Sequence, residues 1–129
     1  ENIILIQATS PLLDTQYLYE GIKLFNSGNY DSILSVVRNK RFFWDIINKD
    51  NNIVSPNNYT PIKRPRRQEI EGSLMENGAF YITSRNNLLL TKCRLSGKIG
   101  FVEMPEYTSY EIDELYDWII IEQLLKQYK

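Results

Sequence analysis

The chain of 129 residues contains no histidine and a single cysteine, Cys93. The first absence removes the usual general base near neutral pH and the commonest transition-metal ligand. No Ser-His-Asp or Cys-His apparatus can be assembled from such a sequence. Any metal falls to a hard cation held by oxygen. A lone cysteine permits no internal disulfide, which fits a reducing compartment. With no histidine beside it, Cys93 reads as structural. Long apolar runs are missing too, and no signal-peptide pattern opens the chain, so nothing points to a membrane span or to export. Neither sign of charge is in surplus: 15 Lys and Arg face 16 Asp and Glu, for a net charge of −1. A general nucleic-acid binder would carry a basic excess. Internal repeats and low-complexity tracts are absent as well.

What remains is ordinary: 43% hydrophobic and 24% charged residues, the balance of a single soluble domain with a real core. Asn2 to Gln7 is a short continuous apolar run, the pattern of a parallel strand buried on both faces. Residue 1 is Glu, and Ile3 to Ile6 already reads as core, so a piece of a longer protein is expected. Asp14 caps a helix over about 15–27 that carries Leu18, Ile22 and Phe25 on one face and stops at Gly28. Asp31 to Val37 is the next strand. Strand, helix, strand predicts a βαβ unit, a right-handed crossover and a parallel sheet. The aromatic run Phe42 to Ile47 then turns over Lys49 to Asn52 into Ile53 and Val54, a hairpin. Residues 55–62 read as loop. Gly78 to Ile82 returns as a strand, Ser84 caps a helix over roughly 85–93, and Ile99 to Met104 is a further strand. Ser109 to Asp113 reads as extended. A last helix follows, with Leu115, Trp118, Ile119, Glu122 and Leu125 on one side.

Four places carry candidate chemistry. Gln7, Thr9 and Ser10 sit at the C-terminal end of the first strand, the edge where open α/β sheets bind ligands. They offer donors and acceptors suited to sugar hydroxyls, although a capped turn explains them equally. Lys63, Arg64, Arg66 and Arg67, interrupted by Pro65, form a local basic cluster. Arginines there suit carboxylate or phosphate, which they grip with two parallel hydrogen bonds. A solvated loop, a nucleic-acid patch and a nuclear import signal are the competing readings. Glu76-Asn77-Gly78 is a polar corner feeding Ala79 to Ile82, where a glycine lets backbone approach a ligand. Alternation puts Tyr81 on the face opposite Phe80 and Ile82. Glu111 and Asp113, two apart in an extended segment, point to one face and can converge on one cation. The residues alone equally allow Asp113 to be a helix cap, with Asp117 at the surface or capping.

Lys-Arg-Pro-Arg-Arg-Gln at 63–68 and Glu-Asn-Gly-Ala-Phe-Tyr at 76–81 closely resemble the N-acylneuraminate cytidylyltransferases, the enzymes that activate sialic acids. Gln7 to Leu12 and Tyr110 to Asp113 with Asp117-Trp118 add two flanking matches in the same order. The resemblance runs over essentially the whole chain. It implies a three-layer α/β domain with a mostly parallel, Rossmann-like sheet of the nucleotide-diphospho-sugar transferase type. Residues 40–72 would be a projecting dimerisation insertion contributing to the active site, the rest of 1–129 the C-terminal part of that single domain. The implied reaction joins CTP to a nine-carbon sugar acid, giving CMP-sugar and pyrophosphate. Arg64, Arg67 and Gln68 are implied catalytic residues. Gln7, Thr9, Ser10, Asn77 and Tyr81 are implied to bind substrate. Asp113 and Glu111 would hold Mg²⁺, although the family usually carries Asp-x-Asp and Glu111 changes the reach of the first ligand. A homodimer is implied, in the cytoplasm, or in the nucleus through Lys63 to Arg67. The family's basic, glycine-containing loop of the Ala-Arg-x-Gly-Ser-Lys type has no counterpart here. The 129 residues alone are therefore expected not to catalyse. Alternatives are a truncated binding or dimerisation module without chemistry, and the related legionaminate or pseudaminate enzymes.

Overall fold

The computed structural model describes residues 1–128. They form two compact units. One comprises Glu1–Arg38 and the chain from Leu74 onward; the other is Asn39–Ser73.

In the first unit, β1 (Asn2–Ile6), β2 (Ser32–Asn39), β5 (Ser73–Ser84) and β6 (Ile99–Met104) make a four-stranded sheet in the order β1-β5-β2-β6. The helices α1 (Thr15–Asn26), α2 (Arg85–Thr91) and α3 (Asp117–Tyr128) complete it. The helix starts follow their capping residues. Asp14 accepts the Gln16 N–H at 3.1 Å, and Ser84 accepts the Asn87 N–H at 3.1 Å.

The expected βαβ passage β1-α1-β2 is present, but the mostly parallel sheet is not. β5 lies between β1 and β2 and runs antiparallel to β1, so the sheet is mixed with one parallel pair, β2 with β6. The reason is physical. A continuous apolar run reports burial on both faces and carries no information about direction. β5 is such a run from Ala79 to Ile82, each 0–2% exposed, and it occupies the centre as an antiparallel strand.

β1 also departs from expectation. It is an edge strand with Ile4, Leu5 and Ile6 40–49% exposed, rather than a strand buried on both faces. The core sits one strand inward, around Ile33, Val37, Phe80, Ile82, Val102 and Met104. Leu18, Ile22 and Phe25 of α1 pack on it as the helix period requires. Within this core the Ser35 hydroxyl accepts the Phe80 N–H at 3.0 Å and lies 3.3 Å from the Phe80 carbonyl, so a buried polar side chain joins β2 to β5 at no cost in orphaned groups. Arg38 grips Glu103 with Nε and Nη2 at 2.8 and 2.7 Å across the β2–β6 pair, which holds the Glu103 carboxyl below its usual range.

The last helix keeps Trp118, Glu122 and Leu125 on one side, where with Ile121 they line a cavity of about 450 Å³ against Ala8, Pro11 and Ile112. Ile121 is the buried residue of α3, while Leu115, Trp118 and Ile119 are 58–87% exposed. The run Trp118-Ile119-Ile120-Ile121 is apolar on every side, so the period could not select the inward face. Residues 106–109 form a 3-10 turn, and Tyr110 to Ile112 follow without strand pairing, so the extended segment expected at 109–113 is irregular instead.

The second unit is a hairpin and its return loop. β3 (Trp44–Asn48) pairs antiparallel with β4 (Ile53–Pro56), with a bulge between Ile46 and Asn48. Asparagines close the loop. Asn57 Nδ2 donates to both Asp45 oxygens at 2.9 Å, and Asn58 takes the Phe43 N–H and gives to the Arg41 carbonyl, each at 2.9 Å. Phe42 and Trp44 meet Tyr59 at 4.5 and 5.9 Å between centroids. Core burial, the default expectation for these aromatics, applies least to Phe43 and Trp44, which are 43% and 48% exposed.

Gly21 sets the distance between α1 and the sheet: a Cβ there would lie 2.7 Å from the Phe80 ring and 3.2 Å from Ile82. Gly21→Val should therefore lower stability by about 1–3 kcal/mol through overpacking. The urea midpoint, read at unchanged slope, checks it.

Candidate active site

The site is built where the loop after β1, the corner in β5 and the segment after β6 meet. The chain leaves β1 through Gln7, whose N–H donates to the Ala79 carbonyl at 3.2 Å and whose carbonyl takes the Ser10 N–H at 3.2 Å. The Thr9 carbonyl accepts the Ile112 N–H at 2.9 Å. Two loops far apart in sequence are thus stitched together by backbone. Their side chains follow: Ser10 Oγ donates to Glu111 Oε1 at 3.1 Å, with Ser10 4% exposed.

Gly78 makes the meeting sterically feasible. Its φ is +68°, and a Cβ on it would lie 2.4 Å from both Gln7 Oε1 and Glu111 Oε1. Gln7 and Glu111, the latter held by Ser10, therefore converge on the one point of β5 that has no side chain. The same left-handed residue interrupts the alternation of the strand. Glu76 and Tyr81 are five apart and in a regular strand would face opposite ways. Across Gly78 they meet, and the Tyr81 hydroxyl bonds to Glu76 Oε1.

Arg94 completes this second cluster. Its guanidinium lies 4.0 Å from the Tyr81 ring centroid, donates to the Tyr81 hydroxyl at 3.3 Å and stands 3.7 Å from Glu76. Burial pushes the Tyr81 hydroxyl up to about 12, helped by the hydrogen bond and charge of Glu76 and further by Glu111; only Arg94 pulls it down. The influence of Glu111 ties the two clusters into one polar region.

The expected site residues distribute as follows. Gln7, Ser10 and Glu111 are brought together, with Thr9 contributing backbone. Tyr81 is 2% exposed, on the face opposite Phe80 and Ile82 as the alternation predicts. Asn77 turns into the interior: its Nδ2 reaches Thr108 Oγ1 at 3.2 Å and Met104 Sδ at 3.5 Å, and its buried Oδ1 has no hydrogen-bond partner. Asp113 is exposed and points its N–H to Asp117 Oδ2 at 2.9 Å. Asp117, the first residue of α3, also accepts the Glu114 N–H at 2.7 Å and so fastens the turn that leads into the helix.

Arg64, Arg67 and Gln68 belong to the second unit. There Pro61–Lys63 is a 3-10 turn and Arg64 is extended before Pro65. The Glu69 N–H returns to the Arg66 carbonyl at 2.9 Å, which places Arg67 and Gln68 at the two corners of a turn. Arg64 stacks on Phe42 at 4.6 Å. Arg94 is absent from the sequence reading, which places Glu76 in the polar corner but not against Tyr81. Their one signal, the glycine that breaks the strand alternation, was read as a close-approach device only.

For a hard cation the donors to hand are Glu111, half-buried, and Asp113, exposed. Among the described residues no three acids or cysteines gather into a metal cluster. Two carboxylates nonetheless suit Mg²⁺, which commonly takes one or two from protein and the rest from water and substrate phosphate. No helix among the described residues is long and apolar enough to cross a membrane.

No protein-family model matches the chain. Curated proteins do. The chain is 42% identical over 120 residues to a protein of Danio rerio named N-acylneuraminate cytidylyltransferase A. It is 40% identical to the N-acylneuraminate cytidylyltransferase of Oncorhynchus mykiss and 38% identical to form B of Danio rerio, each over 120 residues. The similarity covers 92% of this chain and 27–28% of those proteins, so the chain spans about a quarter of the length of the relatives it matches.

Gly78→Ala should cost about 1–3 kcal/mol, because a left-handed φ and two side-chain oxygens both oppose a Cβ; thermal or urea unfolding measures it. The Tyr81 shift gives a pH signature. The folded protein holds this proton more tightly than the unfolded chain, so the contribution is full below pH 10 and is lost as pH rises towards 12. Stability measured from pH 8 to 11.5 should fall less steeply in Tyr81→Phe than in the parent; parallel curves would contradict the assignment.

Proposed function

We propose that this chain is the sugar-acid and metal-carboxylate portion of an N-acylneuraminate cytidylyltransferase, an enzyme that makes CMP-sialic acid and pyrophosphate from CTP and sialic acid. The observation that carries the reading is the 120-residue similarity to three proteins of that name. The polar corner supports it chemically. Gln7 and Ser10 border the space kept open at Gly78 and offer the donors and acceptors a polyhydroxy acid needs. Thr9 adds its hydroxyl.

In this reading the anomeric hydroxyl of the sugar acid attacks the α-phosphorus of CTP and pyrophosphate leaves. Such a transfer asks the protein for positioning and charge stabilisation rather than for a proton-shuttling imidazole, which suits a chain without histidine. Arg64 and Arg67 would bind the carboxylate or phosphate oxygens bidentately, with Gln68 beside them. Glu111 and Asp113 would hold Mg²⁺, whose charge offsets that of the phosphates when bound. Asn77 and Tyr81, both buried, would shape the pocket from behind by fixing the corner.

The finer architecture is proposed likewise. The mixed sheet would be part of a three-layer, Rossmann-like sheet of the nucleotide-diphospho-sugar transferase type. Residues 40–72 would form the dimerisation insertion of a homodimer. The cytoplasm is the proposed location, with nuclear entry through Lys63 to Arg67.

The test replaces the matching 120 residues of the Danio rerio A protein with this chain and follows CMP-sugar and pyrophosphate formation from CTP and N-acetylneuraminate. The expected result is turnover that falls by roughly 100-fold or more in Glu111→Ala and in Asp113→Ala. A folded chimera with no turnover, or one indifferent to both substitutions, overturns the reading.

A further inference from the structure

Thr108 carries a buried hydroxyl that the chemistry above does not use. It lies in the 3-10 turn at 106–109 and is 2% exposed. Its hydroxyl proton goes to the Pro105 carbonyl at 2.7 Å, which the Thr108 N–H also meets at 2.9 Å. Toward Asn77 the same oxygen can then only accept, and Asn77 Nδ2 donates to it at 3.2 Å. That fixes the amide: its nitrogen faces Thr108, and its oxygen is left buried without a partner among the described residues. An orphaned acceptor is costly, so the bond to Thr108 is what this side chain delivers.

The bond bears on Glu111, which stands shortly after Thr108 in the chain. The segment that carries Glu111 is pinned on both sides. Before it, Thr108 is tied to β5 through Asn77; after it, the Ile112 N–H is tied to the Thr9 carbonyl at 2.9 Å. Between the pins, Glu111 Oε1 accepts from Ser10 Oγ at 3.1 Å and reaches into the space beside Gly78. Adjacent residues of β5 thus handle the two ends of one short segment: Asn77 holds Thr108, and Gly78 makes room for Glu111. The other bonds of Thr108, both to Pro105, are internal to the turn and tie it to no other element.

We propose that Thr108 is a positioning residue for the Glu111 carboxylate, acting through its bond to Asn77, and that it thereby sets the affinity of the site for a divalent cation. This rests on the reading of Glu111 as a Mg²⁺ ligand. Thr108, being buried, touches neither the cation nor the sugar acid; it decides where Glu111 stands relative to Ser10. Groups that orient a metal ligand from behind govern metal affinity or activity by about 10- to 100-fold.

The chimera described above carries the test, with Mn²⁺ as the probe. Its binding is read by electron paramagnetic resonance as the part of the bound signal that Glu111→Ala removes. In Thr108→Val the Mn²⁺ dissociation constant and the Mg²⁺ concentration for half-maximal turnover should both rise about 10-fold or more, while Thr108→Ser, which keeps the hydroxyl, should stay within about threefold of the parent. Asn77→Ala breaks the same bond from the other side and should match Thr108→Val, with the double variant no weaker than either single one. It also carries the test where Thr108→Val does not fold. A folded Thr108→Val with parental Mn²⁺ affinity overturns the proposal. So does an equal loss in the valine and serine variants, or a parent chimera with no Mn²⁺ signal that depends on Glu111. A raised KM for the sugar acid in Asn77→Ala, with Mn²⁺ affinity unmoved, overturns it in favour of Asn77 as a substrate ligand. A chimera that binds Mn²⁺ in the expected pattern yet makes no CMP-sugar refutes the proposed activity and leaves this inference standing.

Discussion

Everything in the first unit turns on one backbone angle, the left-handed φ of Gly78 in the central strand. A strand of L-residues alternates its faces without exception, and β5 would then separate Glu76 from Tyr81 and fill the end of β1 with a side chain. The glycine does two things at once. It shifts the alternation by one place, which lets the Tyr81 hydroxyl reach Glu76 under the stacked Arg94. It also vacates the volume into which Gln7 and Glu111 reach from two other loops. Because the backbone tie between those loops, the Ile112 N–H to the Thr9 carbonyl, is only as good as that vacancy, the packing of the core and the polarity of the corner are one construction.

The legible part of this structure was the part encoded locally. Asp14 and Ser84 are caps because a short side-chain oxygen must satisfy the first free N–H groups of a helix, and both were visible as such. The hairpin of the second unit announced itself by apolar runs flanking a Lys-Asp-Asn-Asn turn. What escaped was non-local. The direction of β5 depends on how the chain returns through residues 39–73, which no window of sequence contains. Within α3, apolar residues on every side leave Ile121 indistinguishable from Ile119 until packing chooses. The segment at 109–113 reads as extended only if Ser109 is not spent closing a 3-10 turn. Of the candidate site, the residue types were legible and their grouping was not: Ser10 and Glu111 lie 101 positions apart, and nothing short of a fold puts them 3.1 Å from each other.

The candidate side chains of the two units differ in charge. The first unit offers acids and neutral donors at its corner, Glu76, Glu111, Gln7 and Ser10, with Arg94 committed to Tyr81 and Glu76. The second carries Lys63, Arg64, Arg66 and Arg67 in a stretch bent by Pro65 and closed by the turn at 66–69.

The exposed apolar surface makes the same point from energetics. Burial contributes about 25 cal/mol per Å² of apolar area, and a domain is stable only by the small margin this leaves over chain entropy. Here β1, the outer side of α3 and the hairpin strands all leave large apolar side chains 40% or more exposed. Scattered exposed leucines would mean little, but these are contiguous along three elements, and contiguity is the mark of surfaces made to be covered. Covering them would deepen the core beside Gly78 as well as the margin of stability, since Leu5 and Ile6 sit opposite Tyr81 and Phe80, directly next to the corner. The geometry of the corner and the exposure of β1 therefore meet in one place: the strand that carries Leu5 and Ile6 runs directly into the loop of Gln7, Thr9 and Ser10.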